Sequence, residues 1–125
     1  KVKKSGLEKR VIFAGVRSDI PGLFASSDCF ILPSRYEGLP LVLVEALAAG
    51  IAIIVSDFEA AREDVTHKKN VLIVPREDVE ALAQAMIRIN EDSGLRENLA
   101  LEAKKSAERF SISSHVCAMM RYANV

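Results

Sequence analysis

The chain contains 125 residues, the size of one ordinary domain, and half of them are hydrophobic. With 27% charged residues and a mean hydropathy of +0.15, the chain can bury a core, which excludes disordered and low-complexity proteins. Seventeen Lys and Arg balance seventeen Asp and Glu, so no strong field exists to attract nucleic acid or an anionic membrane surface. The composition indicates a single folded domain over residues 1–125.

The first elements alternate between helix and strand patterns. Lys1–Gly6 is typical of the tail of a helix closed by glycine, and without an initiator Met we expect a fragment of a longer protein. Val11–Ala14, stopped by Gly15, predicts a strand buried on both faces. Asp19–Ala25 predicts a short helix with a possible aspartate N-cap, and Cys29–Leu32 predicts a second buried strand.

The alternation continues through the middle of the chain. Pro40–Ala49 predicts a helix with proline at its start and Gly50 just beyond its end. Ile51–Val55 is a β-branched strand, residues 58–63 predict a single helical turn, and Val71–Val74 predicts a further strand.

The last third of the chain is helical. We expect an amphipathic helix at Asp78–Asn90, a second helix at Leu95–Arg109, and a last one capped by Ser111 or Ser113. Strands that alternate with helices predict an α/β fold with a doubly wound, mostly parallel sheet. Ligands bind such sheets beyond the carboxyl ends of the strands, where loops meet helix N-termini.

The loop between the second strand and the helix at 40–49 is the first candidate site. Gly38 allows a ligand to approach the backbone closely, and Pro40 lacks only an N–H that would have no partner in the helix. The N–H groups of the first helical turn and the helix dipole favour an anion, so we expect a phosphate or diphosphate there.

Two glutamates flank this loop. Glu45 is the only polar residue between Leu41 and Ala49, so we expect its helix to be buried and its carboxylate to be satisfied. An ion pair with Arg35, a position in water at the rim of the sheet, and hydrogen bonds to a ligand diol are the alternatives. Five helical residues rise only ~7.5 Å, so Glu37 and Glu45 can face one ligand, such as a sugar nucleotide. For Glu37 the alternative is a solvated loop residue.

Other chemistries find less support in the sequence. His67 and His115 have no Cys or His at ligand spacing, and Ser34 lacks a Gly-x-Ser-x-Gly elbow, so we expect neither a metal site nor a hydrolase. Cys29 and Cys117 suit buried thiols better than a disulfide. No apolar run approaches the ~20 residues of a transmembrane helix.

These motifs resemble those of glycosyltransferase family 4, the group 1 retaining transferases. The similarity covers nearly the whole chain from Val11, and Glu37 and Glu45 form the E-x7-E signature of that family. The matching segments are Val11–Gly15, Ser27–Asp28, Leu32–Ser34, Glu37–Pro40, Glu45–Gly50 and Glu63. The resemblance implies the C-terminal, Rossmann-like half of a GT-B enzyme, which binds a UDP- or GDP-sugar donor without a metal cofactor.

The resemblance also implies roles for individual residues. Glu45 would hold the ribose hydroxyls, and Glu37, as the catalytic residue, would contact the donor sugar without acting as a nucleophile. The backbone around Gly38 would border the diphosphate or sugar. The implied donor-binding residues are Gly15, Val16, Glu37, Gly38, Leu39, Pro40, Leu41, Val42 and Glu45. Gly15 and Val16 correspond to the segment beside the base.

Further expectations follow from the resemblance. The partner would be an N-terminal acceptor domain of the same protein, and the basic pair that grips the diphosphate would precede Lys1, so the fragment alone would not transfer sugar. The family often has Pro at Ala52, Gly near Glu59 and Ala60, and Gly at Val71, so the loops beside the sugar differ here. The implied pathway is polysaccharide, lipopolysaccharide or glycolipid synthesis in the cytoplasm, with peripheral membrane association through the acceptor half.

Three alternatives from other classes remain at this point. A phosphate-binding or receiver-like module would need acidic residues at strand ends, for which Asp28 and Asp57 are candidates, but Asp28 precedes its strand. A GT-B sugar-nucleotide epimerase shares the donor site. A phosphorylase would need a phosphate or pyridoxal site, and no motif for either is present in the sequence.

Overall fold

Strands and helices alternate along the chain as the sequence predicts. The computed structural model describes residues 1–38, 40–58 and 65–111. Within these ranges, the strands are β1 (Cys29–Leu32), β2 (Ala52–Ser56) and β3 (Leu72–Val74). The helices there are α1 (Ile20–Ala25), α2 (Leu41–Ala49), α3 (Val79–Glu91) and α4 (Ser93–Ala107), with 3-10 turns at Lys3–Ser5 and Glu108–Phe110.

The strands form a parallel sheet in the order β1-β2-β3. Cys29 pairs with Ala52 at one end of β1, and Ser56 pairs with Val74 at the end of β3. All five residues of β2 are buried, as expected of a central parallel strand with both faces covered. Because the strands are parallel, their carboxyl ends lie at one edge, which positions the loops that follow them together.

Helices cover both faces of this sheet. Ile53 and Val55 of β2 pack in one apolar cluster with side chains of α1 and α2. Ala52 and Ile54 point to the opposite face, since side chains alternate along a strand, and pack with side chains of α3. The α/β, doubly wound arrangement expected from the sequence is therefore confirmed.

The ends of α2 follow from the residues that flank it. Pro40 precedes the helix, and Gly50 follows it with φ of 67°, a left-handed conformation that glycine adopts without strain. A Cβ atom at Gly50 would lie 3.2 Å from Cδ of Lys104, so α4 also leaves little room there. The predicted helix start and stop are confirmed.

The expected strand at Val11–Ala14 is wrong. These residues are not a strand, and Ile12 and Phe13 are 86% and 82% exposed. An apolar run forms a buried strand only where a neighbouring strand completes the hydrogen-bond ladder, and none of the three strands in the described ranges pairs with it. The turn at Lys3–Ser5 does end at Gly6, with φ of 66°, as expected.

Several boundaries differ by one or two residues. The side chain of Asp92 accepts a hydrogen bond from the N–H of Leu95, and this cap starts α4 at Ser93, two residues earlier than expected. Asp19 precedes α1 but makes no capping bond with its side chain, because the carboxylate binds Arg17 instead. Residues 59–63 of the turn predicted at 58–63, and the predicted last helix after Ser111, lie outside the described residues.

Candidate functional site

The loop from β1 to α2 carries Glu37 at the carboxyl edge of the sheet. Ser34 Oγ donates a hydrogen bond of 2.7 Å to Glu37 Oε1. This bond fixes one carboxylate oxygen within the loop and leaves Glu37 exposed to a ligand. From the sequence, Ser34 was considered as a nucleophile, and its contact with Glu37 was missed. The available signal was the separation of only three residues within one loop.

The first turn of α2 offers backbone donors beside this loop. Pro40 is the N-cap residue and has no side-chain acceptor, while its carbonyl accepts from the N–H of Leu43 at 2.9 Å. The N–H groups of Leu41 and Val42 belong to the first helical turn, which has no intrahelical acceptors for them. The sequence predicts an anion pocket in the segment that contains Leu41, Val42 and the exposed Gly38. Leu39 lies outside the described residues.

Glu45 lies on the exposed side of α2, which corrects the expected burial of its helix. Leu43, Ala46 and Leu47 face the core, whereas the Glu45 side chain is exposed. Within the described ranges it has no hydrogen bond or ion pair. The alternative of an ion pair with Arg35 is wrong, because Arg35 binds Glu77. All residues of this short helix except Glu45 are apolar. Its composition therefore does not reveal which side faces solvent.

The Glu45 carboxylate belongs to a cavity between α1 and α2. This cavity has a volume of about 430 Å³. Its other walls are apolar and come from Ile20, Pro21, Phe24, Ala25, Ala48 and Ala49. Among the described lining residues only Glu45 has a polar side chain, and a carboxylate beside apolar side chains suits a ligand that has both a flat apolar part and a hydroxyl group.

Gly15 and Val16 lie in the exposed segment that leads to α1. Gly15 has φ of 66°, a conformation that glycine adopts with little strain and other residues do not. The Val16 side chain is fully exposed. Ile20, at the start of α1, is already part of the cavity that contains Glu45. The exposed segment therefore leads along the chain to the residues of this cavity. The contact of Gly15 and Val16 with a base remains a prediction.

A second cavity lies beyond the carboxyl ends of all three strands. It has a volume of about 550 Å³ and is lined by Arg35, Tyr36, Asp57, Pro75, Arg76 and Glu77. Arg35 and Tyr36 immediately precede Glu37 in the chain. Sequence reasoning missed this cavity because its two walls are about forty positions apart, and local spacing carries no information about such contacts.

The remaining candidate groups in the described part of the chain are Cys29 and His67. Burial raises the pKa of the Cys29 thiol to about 11, and the charge of Asp28 acts in the same direction, so this free thiol stays protonated near neutral pH. His67 is exposed, and its Nδ1 accepts a hydrogen bond from the N–H of Ile73 at 2.9 Å. Cys117 and His115 lie outside the described residues. In the described part of the chain, no group of three His, Cys, Asp or Glu side chains is arranged to hold a metal.

None of the helices within the described ranges combines the length and the apolar character that a bilayer span requires.

A family model described as "Glycosyl transferases group 1" matches residues 1–106. The chain belongs to the group 1 glycosyltransferases. One relative of this glycosyltransferase chain is the N,N'-diacetylbacillosaminyl-diphospho-undecaprenol alpha-1,3-N-acetylgalactosaminyltransferase of Campylobacter jejuni. The two are 37% identical over 100 residues, which cover 80% of this chain and 27% of that protein.

Two solved structures show the same fold. The C-terminal domain of the group 1 glycosyl transferase LpcC from Francisella tularensis is 27% identical, with a TM-score of 0.81 over 89% of this chain and 59% of that one. Anabaena HepE in complex with UDP-glucose is 28% identical, with a TM-score of 0.87 over 98% of this chain and 35% of that one. The fold is thus the one found in the C-terminal half of GT-B glycosyltransferases.

The match covers only part of these proteins. The glycosyltransferase chain spans about a quarter of the length of the first curated relatives it matches. The match alone therefore does not establish the activity of the whole protein.

Proposed function

We propose that residues 1–125 bind the nucleotide-sugar donor of a retaining glycosyltransferase. The whole protein would transfer the sugar from a UDP- or GDP-sugar to an acceptor held by a separate N-terminal domain. The observation that carries the proposal is the exposed Glu45 carboxylate, which stands on the wall of an otherwise apolar cavity. The complex of HepE with UDP-glucose supports the class of donor.

Each part of a nucleotide sugar has a counterpart along α2. The Glu45 carboxylate accepts hydrogen bonds from the two ribose hydroxyls, and the apolar wall of α1 packs against the nucleoside. The diphosphate binds the N–H groups of Leu41 and Val42, where the helix dipole also favours negative charge. Glu37 and Gly38 then lie beside the sugar ring, with Glu37 oriented by Ser34. Gly15 and Val16 would border the base.

The proposed chemistry uses the donor phosphate as the base. The acceptor oxygen attacks the anomeric carbon on the face that the diphosphate leaves, so the configuration is retained. The bond from the anomeric carbon to the phosphate oxygen breaks, and the departing phosphate takes the proton of the acceptor hydroxyl. The N–H groups at the start of α2 stabilise the charge that develops on this phosphate. Neither glutamate forms a covalent intermediate, and no step uses a metal.

The pathway proposal rests on the names of relatives. The Campylobacter jejuni relative acts on a diphospho-undecaprenol compound, and another relative is a lipopolysaccharide core mannosyltransferase. We propose a role of the same kind, in polysaccharide, lipopolysaccharide or glycolipid synthesis, with the acceptor half at the inner face of the membrane. The family match favours a glycosyltransferase over the receiver-like alternative.

The test replaces Glu45 in the full-length enzyme. Glu45→Ala removes hydrogen bonds from ribose hydroxyls to a charged acceptor, so we expect UDP or GDP binding to weaken by about 1.5 to 3 kcal/mol. Isothermal calorimetry measures this loss directly. Glu97→Ala is the matched control, because Glu97 is an exposed glutamate on α4 and neither cavity contains it. Equal affinity of parent and Glu45→Ala for both nucleotides would reject the proposed role.

A further inference from the structure

The second cavity does not overlap with the walls assigned to the nucleotide. It opens where β1, β2 and β3 end, and its residues come from the loop after β1, from Asp57 and from the turn at 75–77. The cavity that contains Glu45 is built from α1 and α2 instead. Tyr36 of the second cavity is followed directly in the chain by Glu37, the residue that the proposed function places beside the sugar.

Three contacts join the loop after β1 to the turn after β3. The guanidinium of Arg35 forms an ion pair with the Glu77 carboxylate at 2.5 Å. Nη1 of Arg76 donates to the Arg35 carbonyl at 3.4 Å, and the Arg76 guanidinium lies over the Tyr36 ring, 5.6 Å from its centre. The Tyr36 side chain is still 82% exposed. Exposed contacts of this kind contribute little to stability, so stability alone does not account for the arrangement.

The backbone at Glu77 gives a second indication. Glu77 has φ of 62°, in the left-handed region that glycine adopts easily and other residues adopt at a cost of about 1 kcal/mol. Strained residues of this kind cluster at ligand sites, where the surrounding structure holds them. A glycine at position 77 would adopt this conformation easily, but it would lack the carboxylate that pairs with Arg35.

The lining groups suit a neutral ligand with many hydroxyls. Among the described lining residues, two guanidinium groups balance two carboxylates, and this balance favours a neutral ligand over a phosphate. Guanidinium groups donate in a fixed planar fork and carboxylates accept with two oxygens, so together they match neighbouring hydroxyls of a ring. The exposed Tyr36 ring adds an apolar surface for the C–H groups of that ring.

We propose that this cavity is a subsite for a neutral sugar ring, next to Glu37. The inference rests on the proposed function and extends it, because it assigns a second group of residues to substrate recognition. Two rings share this chemistry, namely the sugar carried by the donor and a sugar of the acceptor. The experiment below separates them.

The test follows backbone amide signals of the 125-residue chain by NMR during titration with methyl α-D-glucopyranoside. We expect saturable shifts at Tyr36 and Glu77 at sugar concentrations up to tens of millimolar, which covers weak binding of a single ring. Signals of Ala25 and Ala49, in the other cavity, are expected to stay unchanged. A repeat in the presence of UDP-glucose identifies the ring. Loss of the sugar shifts assigns the subsite to the donor sugar, and persistence assigns it to the acceptor.

Two variants test the lining residues. Tyr36→Ala removes the aromatic surface, and Glu77→Gly removes the partner of Arg35 while favouring the observed backbone conformation, so that variant is expected to fold. Each is expected to raise the dissociation constant of the glucoside by about fivefold or more. Glu102→Ala is the control, because it breaks a similar exposed ion pair with Lys105 on α4, outside the cavity.

The outcomes also distinguish this inference from the proposed function. Shifts by UDP at Ala25 and Ala49, with none by the glucoside at Tyr36 and Glu77, would overturn the subsite and leave the nucleotide site intact. Glucoside shifts that are equal in the parent and in both variants would overturn it as well. Shifts by the glucoside but none by UDP in the 125-residue chain would retain the sugar subsite, and the calorimetry on the full-length enzyme would then decide the nucleotide site.

Discussion

His67 is a residue whose protonation state is linked to folding. Its Nδ1 accepts a hydrogen bond from the N–H of Ile73, which requires an unprotonated nitrogen. Burial lowers the pKa of His67 from 6.5, and the charges of Lys68 and Arg88 lower it further. The folded protein therefore favours the neutral ring more than the unfolded chain does.

The pH dependence follows from that direction. The contribution of neutral His67 to stability is fully present above pH 6.5 and is lost as the pH falls through the lowered pKa of the folded state. We expect the parent to lose more stability than His67→Gln between about pH 7.5 and 5, as measured by urea denaturation at each pH. His115 and all carboxylates are common to both proteins and cancel in the difference. Parallel pH profiles would contradict this assignment.

The candidate site shows what single residues reveal before a structure is known. The spacing of Glu37 and Glu45 around a helix start was sufficient to propose a ligand between them, because helix geometry relates spacing to distance. A position of Glu45 in water was one of three alternatives, and the sequence could not select it, since the apolar neighbours of Glu45 suggested a buried helix. The ion pair of Arg35 with Glu77 was also not predictable, because nothing local in the sequence relates residues so far apart.

At the scale of elements, helix caps provide a direct test. Asp78 Oδ1 accepts a hydrogen bond of 2.8 Å from the N–H of Ala81 in the first turn of α3. Asp78→Ala leaves that N–H without its partner and is expected to lower the free energy of unfolding by about 1 kcal/mol, measured by urea denaturation. Asp19→Ala is the control, because Asp19 precedes α1 without capping it. An equal or larger loss for Asp19→Ala would show that capping is not the cause.

Elements were predictable where local rules determine them. The bounds of β1 were predicted as observed, and α2 was predicted to within one residue, because proline and glycine mark its ends. Val11–Ala14 shows the limit of such rules. Its four apolar residues satisfy the pattern of a buried strand, yet burial depends on a neighbouring strand, and the pattern of one segment carries no information about its neighbour.

At the scale of the whole molecule, α4 connects the two apolar clusters. Leu99 packs against α3 and the face of the sheet that carries Ile54, whereas Ala103 packs with α2 and the face that carries Val55. Asn70 adds a polar contact to this helix, since its Nδ2 donates to Ser106 Oγ at 2.9 Å. The sequence predicted a helix at Leu95–Arg109 in this region. The contribution of one helix to both faces required the tertiary structure.

Two leucines on α4 test whether this connection stabilises the fold. Leu99 is fully buried and Leu101 is 55% exposed, although they are the same residue type on the same helix. Leu99→Ala removes buried methyl groups and leaves a cavity, so we expect the free energy of unfolding to fall by about 2 to 5 kcal/mol. Leu101→Ala is expected to change it by less than about 0.5 kcal/mol. Urea denaturation measures the free energy of unfolding of both variants. If its slope against urea concentration is unchanged, the unfolded states are comparable. Similar losses for the two variants would contradict the packing of α4 described above, because helix propensity changes equally in both and only burial differs.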